Sequence, residues 1–233
     1  MQLRVRDVAR VLNVSEKTVY HWVEKGSLAA QQVNGQYRFN RTELLEWATE
    51  HNMTVSPGLF SEQDPDAAPL PSLAESLEAG GVFHGVPGVD MKSVLRAIVE
   101  RMRLPDAADR ELLFSVLLAR EALGSTAVGE GIAIPHVRNP IVLHVERPII
   151  TLCFLEKPIE FGALDAKPVY ALFSMISPTI RSHLHLLSRL GFALRDVKFK
   201  KFIAGRAPIE VILAEVRRIE SGLPPADVGK EPA

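Results

Sequence analysis

The chain has 233 residues, 47% of them hydrophobic and 24% charged, enough for one large domain or two smaller ones of ordinary globular composition. A net charge of −1 excludes reading it as a nucleic-acid binder from charge alone. A single cysteine excludes an internal disulfide framework, and no apolar run approaches membrane-spanning length.

The first residues, MQLRVRDVAR, lack the apolar stretch of a secretory signal. Cys153 sits in the apolar run Ile149 to Leu155 and reads as a packing thiol, so a reducing cytoplasm is expected. Charge is unevenly spread: +1 over residues 1–51, −5 over residues 52–89 and +3 beyond.

In chain order, Val5, Val8, Ala9 and Leu12 have helical spacing and predict a short first helix. Asn13-Val14 form a turn, Ser15 caps a second helix over residues 16–25, and Gly26 stops it. Val19, Trp22 and Val23 are its inward face. Two strands, residues 29–33 and 36–39, flank Asn34-Gly35, a tight-hairpin pair. A third helix, residues 41 to about 50, packs through Leu44, Leu45, Trp47 and Ala48.

Residues 52–81 are rich in Pro, Ala, Ser, Gly and acids and read as a flexible, self-repelling linker. Beyond it, helix and strand signals alternate. Asp90 caps a helix to about residue 103 with the stripe Val94, Leu95, Ile98, Val99 and Met102. Asp109 caps another, with Leu112, Leu113, Val116 and Leu117 on one face. Strands are expected at residues 132–134, 149–155 and 169–175. Ser177-Pro178 opens a helix to about residue 194, and a last helix covers 209–219. The tail, residues 221–233, reads as disordered. The fold class is therefore two domains: a small mainly-α unit at 1–51 and an α/β unit at 82–220, with a mixed sheet flanked by helices.

One segment carries chemistry. Gly129-Glu130-Gly131-Ile132-Ala133-Ile134-Pro135-His136 delivers a histidine after a glycine turn, a short strand and a proline. Imidazole is nucleophilic near neutral pH, glycine amides can approach phosphate closely, and Pro135 restricts the backbone just before His136. This suits a phosphoryl acceptor. Arg120 continues the apolar face of its helix, so it either snorkels at the helix end or points into a site. His183 shares a face with Ile180 and Leu187 near its helix start. There it is either a core histidine or a site residue, and the helix dipole favours neutral imidazole. His185, two residues on, points away from it. His84 and His144 lack partners at ligand spacing, so no metal is expected.

The N-terminal order resembles the excisionase-like, MerR-related winged helix-turn-helix domain, through Val8 to Trp22, Asn34 to Phe39 and Leu44-Leu45-Glu46-Trp47. The resemblance implies that the second helix enters the major groove of DNA. Ser15, Glu16, Lys17, Thr18, Tyr20 and His21 would lie on the DNA side, and Arg38 of the wing would reach backbone or minor groove. For any one of them a solvated polar face is the other reading. MerR regulators dimerise through a long C-terminal coiled coil, and no sustained heptad pattern appears in this sequence. Useful affinity would then need a homodimer through the other domain, or several sites.

The C-terminal part resembles the fructose/mannitol/nitrogen class (type 2) of bacterial phosphotransferase-system enzyme IIA domains. The likeness runs through Leu118 to His136, Phe161 to Val169 and His183 to Leu187. It implies that His136 accepts phosphate from a phosphocarrier of the HPr type, with His183 as the second active-site histidine and Arg120 as the arginine. Ser125 and Thr126 would be supporting donors, and no cofactor is implied. Ala127 replaces a usual glycine. Val137 stands where a small residue is usual and could crowd the donor's approach.

Together these features point to a cytoplasmic DNA-binding regulator controlled by phosphorylation of His136. It would be a phosphohistidine acceptor and not a turnover enzyme. The alternatives are a sugar-system phosphoryl carrier, or a regulatory IIA domain whose helix-turn-helix binds protein.

Overall fold

A computed structural model describes residues 2–33, 35–51, 53, 70–106, 108–137 and 145–223. Asn34, residues 54–69 of the expected linker, His144 and the tail from Pro224 lie outside the described residues.

The first unit runs β1 (Gln2–Arg4), α1 (Val5–Val11), α2 (Glu16–Glu24), β2 (Gln31–Val33), β3 (Gln36–Asn40) and α3 (Arg41–Glu50). Ser15 caps α2 by accepting the Thr18 amide at 3.1 Å, and Gly26 leaves the helix with a left-handed φ of 70°. The wing has one strand more than its sequence pattern suggests. β1 pairs antiparallel with β3, Leu3 opposite Phe39, giving the order β1-β3-β2. Three residues are too few to display an alternation. Val8, Val19, Phe39, Leu44 and Ala48 form the inner core of this unit.

The second unit begins with α4 (Leu73–Gly80), inside the stretch read as linker. That reading is corrected here: the polar, small-residue composition conceals a capping box, in which Ser72 accepts the Glu75 amide at 2.9 Å and Glu75 answers the Ser72 amide. Leu73 and Leu77 are fully buried. The α4 amides of Leu73 and Ala74 donate to the Glu220 carboxylate at 2.6 and 3.2 Å, fixing this helix to the far end of the chain.

There follow β4 (Val82–Val86), α5 (Met91–Arg101), α6 (Arg110–Ala122), β5 (Ala127–Gly129), β6 (Ile132–Ala133), β7 (Ile149–Ile159), β8 (Val169–Ile176), α7 (Ile180–Ala193), α8 (Val197–Ala204) and α9 (Ile209–Ser221). The expected strands and helices are present, while β4, β5 and α8 were not anticipated. The sheet order is β4-β7-β8-β6-β5, parallel at β4–β7 and β8–β6 and antiparallel elsewhere, hence mixed as expected.

β7 reads as an unbroken apolar run because both sheet faces are covered. Ile150, Leu152 and Phe154 pack with α4, α7, α8 and α9, whereas Cys153 and Leu155 pack with α5 and α6. Burial pushes the Cys153 thiol up to about 12, in keeping with a packing role. Leu112, expected on the inner face of α6, is 38% exposed; Leu113 and Leu117 carry the packing.

The two units share one continuous apolar cluster. α3 lies against α7 and β5, with Leu45, Thr49 and Met53 meeting Val128, Gly191 and Leu194 around a cavity of about 30 Å³. α3 is thus covered on both sides, by its own domain and by the second unit.

Candidate functional site

His136 follows β6 and continues it alongside β8, bridging in parallel to Met175. Pro135 has no N–H but its carbonyl accepts the Met175 amide at 3.0 Å, so the strand edge persists to the histidine. The ring is 3% exposed. Its Nδ1 lies 2.7 Å from the Ile134 carbonyl oxygen, which can only accept, so Nδ1 carries hydrogen and Nε2 faces the site.

Two elements distant in sequence converge there. Arg120, in the last turn of α6, donates from Nη1 to the Gly124 carbonyl at 2.9 Å and turns Nη2 inward. With 5% exposure it does not snorkel; it points into the site. His183, in the first turn of α7, places its ring 5.2 Å from that of His136 at 43°. It is 1% exposed, and among the described residues neither ring nitrogen has a hydrogen-bond partner. Burial first, and the neighbouring His136 second, hold it down to about 3, so it is neutral at physiological pH. Neutrality was expected from the helix dipole, but burial outweighs it.

The fourth member came from the other domain and was not anticipated. Glu46 of α3, 4% exposed, places Oε1 3.2 Å from His136 Nε2 and Oε2 3.2 Å from Arg120 Nη2. A cleft of about 430 Å³ between Gly26, Trp47 and Gly124 leads down to this pair. Sequence offers one faint signal: a charge between Leu45 and Trp47, beside the packing positions of its helix.

Several expectations change. Ser125 donates to the Phe161 carbonyl at 2.5 Å, and Thr126 gives its amide and hydroxyl to the Glu121 carboxylate at 2.6 and 2.7 Å. Neither hydroxyl is turned to His136. Thr126 contributes instead through its carbonyl, which accepts the Ile134 amide at 3.0 Å and so aligns the segment before the histidine. Burial, outweighing these hydrogen bonds, raises the Glu121 carboxyl above its ordinary range.

The glycine turn is also not beside the histidine. Gly131 pairs with Tyr170 and Ala171, whereas His136 pairs with Met175, so roughly 15 Å of strand separates them. Glu130, at a φ of 53°, donates its amide to Asp165 at 2.8 Å. Gly131 is required because a Cβ would stand 2.5 Å from the Tyr170 ring. The turn closes the β5–β6 hairpin. Val137 is 2% exposed and packs with the α5 and α6 layer.

In the first unit Glu16, Lys17, Tyr20 and His21 lie exposed on α2, and Arg38 is half-buried on β3 with Nη2 on Gln36 at 3.0 Å. The Ser15 and Thr18 hydroxyls meet at 2.8 Å and serve the helix start. His185 is buried apart from His183, and burial together with Arg189 lowers it to about 4.

A small helix-turn-helix unit is thus followed by an α/β domain in which two histidines and one arginine are buried together. The chain belongs to the family described as "Phosphoenolpyruvate-dependent sugar phosphotransferase system, EIIA 2", matched over residues 75–215, and carries a helix-turn-helix domain matched over residues 3–52. It is 33% identical over 154 residues to a nitrogen regulatory protein of Pseudomonas aeruginosa, covering 64% of this chain and 97% of that one. It is 34% identical over 113 residues to a PTS system fructose-specific EIIA component of Haloferax volcanii, covering 46% and 71%. The fold matches the crystal structure of nitrogen regulatory protein IIA-Ntr from Neisseria meningitidis with a TM-score of 0.54 at 24% identity, over 62% of this chain and 98% of that one. No helix among the described residues is long and apolar enough to cross a membrane.

Proposed function

We propose that this chain is a DNA-binding transcription regulator whose state is set by phosphorylation of His136, taken from a phosphocarrier protein of the HPr type. The observation that carries the reading is the convergence of Arg120 and His183 around His136, from two helices that flank different faces of the sheet.

Nε2 supplies the electron pair that forms the new N–P bond as the donor's N–P bond breaks. The Arg120 guanidinium offsets phosphoryl charge, and neutral His183 has a ring nitrogen to give to a phosphoryl oxygen. Ile134 holds the ring through Nδ1. The DNA side is supported by exposed Glu16, Lys17, Tyr20 and His21 on a helix that Ser15 and Thr18 start cleanly, with Arg38 on the wing. The recognition unit is assigned to residues 1–51 and the phosphoacceptor unit to α4 through α9. A homodimer would supply the second half-site.

Intact mass after treatment with a phosphorylated phosphocarrier protein should show one added phosphoryl group, absent from His136→Ala. Selection from random DNA should recover a defined site. The docking of α3 on the second unit favours a second reading, in which the helix-turn-helix is a protein-interaction module. Absence of salt-sensitive DNA binding would select that one.

A further inference from the structure

Glu46 belongs to the DNA-binding unit, yet its carboxylate stands at the reactive face of His136. We propose that α3 is a built-in occupant of the phosphoacceptor site: Glu46 takes the place of the incoming phosphoryl group, so docking of the winged domain and phosphorylation of His136 exclude one another. The proposal rests on His136 being the acceptor.

Geometry makes the exclusion direct. Oε1 of Glu46 lies 3.2 Å from Nε2, in the direction where phosphorus would bond. Its other oxygen holds Arg120 at 3.2 Å, the cation that would otherwise meet a phosphoryl oxygen. A carboxylate bridging an imidazole and a guanidinium satisfies the same donors that an anionic phosphoryl group would. His136 also faces an acceptor on each side, the Ile134 carbonyl at 2.7 Å and Glu46. A hydrogen shared between Nε2 and Glu46 would occupy the electron pair needed for attack.

Access gives an independent reason. Glu46, His136 and Arg120 are each at most 5% exposed. The cleft above them, about 430 Å³, admits a small molecule. A protein donor needs a contact of roughly 800 Å² on this side, so the winged domain must move aside for it. Residues 54–69 join the two units, and a chain of that length can extend over about 50 Å. When transfer occurs Nε2, freed from Glu46, supplies its electron pair; Nε2–P forms as the donor's N–P bond breaks, and the electrons of the broken bond stay on the donor nitrogen. The phosphoryl group then carries about two negative charges against the Glu46 carboxylate, which keeps the winged domain off. The exposed face of α2 points elsewhere, so the event changes where the DNA-binding unit is held without having to uncover its helix.

The test uses the full chain as wild type, Glu46→Gln, Glu46→Ala and Thr49→Trp. Thr49 faces α7 at Gly191, where even a Cβ added to the glycine would stand 3.8 Å from it, so a tryptophan in place of Thr49 should pry α3 off with Glu46 intact. Each is treated with phosphoramidate, whose P–N bond breaks with release of ammonia, and separately with phosphorylated phosphocarrier. Phosphate on His136 is followed by mass, and domain separation by small-angle scattering. Because the rate follows the fraction of open molecules, both Glu46 variants and Thr49→Trp should accept phosphate from the phosphocarrier roughly tenfold faster than wild type. Wild type should expand on phosphorylation. Equal rates in all four, or scattering unchanged by phosphate, overturn the occupant role alone. Absence of phosphate from every variant with both donors overturns the acceptor reading and this proposal with it.

Discussion

The Glu46 carboxylate meets the Arg120 guanidinium at 3.2 Å across the junction of the two domains, with side-chain exposures of 3% and 5%. Each is a charge taken out of water, tolerable because the other is there and because His136 and the Gly124 carbonyl complete the pairing. The pair thus joins one charge from each domain at the foot of the same cleft.

Removing one side of that pair leaves the other stranded. Arg120→Met should lower the stability of the docked chain by about 3–5 kcal/mol, and Glu46→Met combined with it should restore most of the loss. Urea unfolding of the two variants measures both. A double variant no better than the single one would mean that the pair contributes through packing and not through charge.

His183 makes stability depend on pH. Its folded value is depressed to about 3 from an ordinary 6.5 by burial, so the unfolded chain binds the proton more readily. Stability is then fully present above pH 6.5 and is lost as pH falls toward 3. Between those limits the wild type should lose about 1.4 kcal/mol more per pH unit than His183→Asn. Parallel curves for the two proteins would contradict this.

Gly80 shows that α4 is part of the second unit. A Cβ there would sit 2.2 Å from the Ile150 carbonyl oxygen, against backbone that cannot rotate away. Gly80→Ala should cost about 1–3 kcal/mol or more, read as a fall in thermal midpoint. A neutral outcome would return the segment to linker status.

Val137 faces the core, and its replacement separates packing from transfer. Val137→Ala should destabilise by about 1–3 kcal/mol while leaving the initial rate of phosphate uptake at His136 within twofold, about 0.4 kcal/mol in barrier. A large acceleration would instead support crowding of the donor.

On the DNA-binding reading, Lys17→Ala on α2 and Arg38→Ala on the wing should each weaken DNA binding and reduce the salt slope by about 1 if the residue meets phosphate. Titration of a selected DNA at several salt concentrations reads both. Unchanged slopes would remove these two residues from the interface.

Local signals carried much of the architecture. Ser15, Asp90 and Asp109 each cap the helix expected of them, and Gly26 ends α2 in the left-handed region. These depend on residues within one turn, so neighbours in sequence decide them. β1 and β5 span three residues each, shorter than any periodicity, and are strands only because β3 and β6 lie beside them. α4 carries a capping box, Ser72 with Glu75, within a composition of alanine, serine and acids that otherwise matches a linker.

The sequence by itself determined that His136 ends a constrained strand and that Arg120 and His183 are polar groups on apolar helix faces. Spacing along one helix is enough for that. Only the tertiary structure decided that the glycine turn lies at the other end of the strand, that Ser125 and Thr126 are engaged elsewhere, and that Glu46 closes the site. Those facts depend on which elements pack together across long separations, 90 residues in the case of Glu46 and His136. A carboxylate on a short helix has no sequence mark distinguishing a solvated position from one buried against another domain. Burial, set by the docking of α3 on α7 and β5, turns it from a surface charge into the partner of His136.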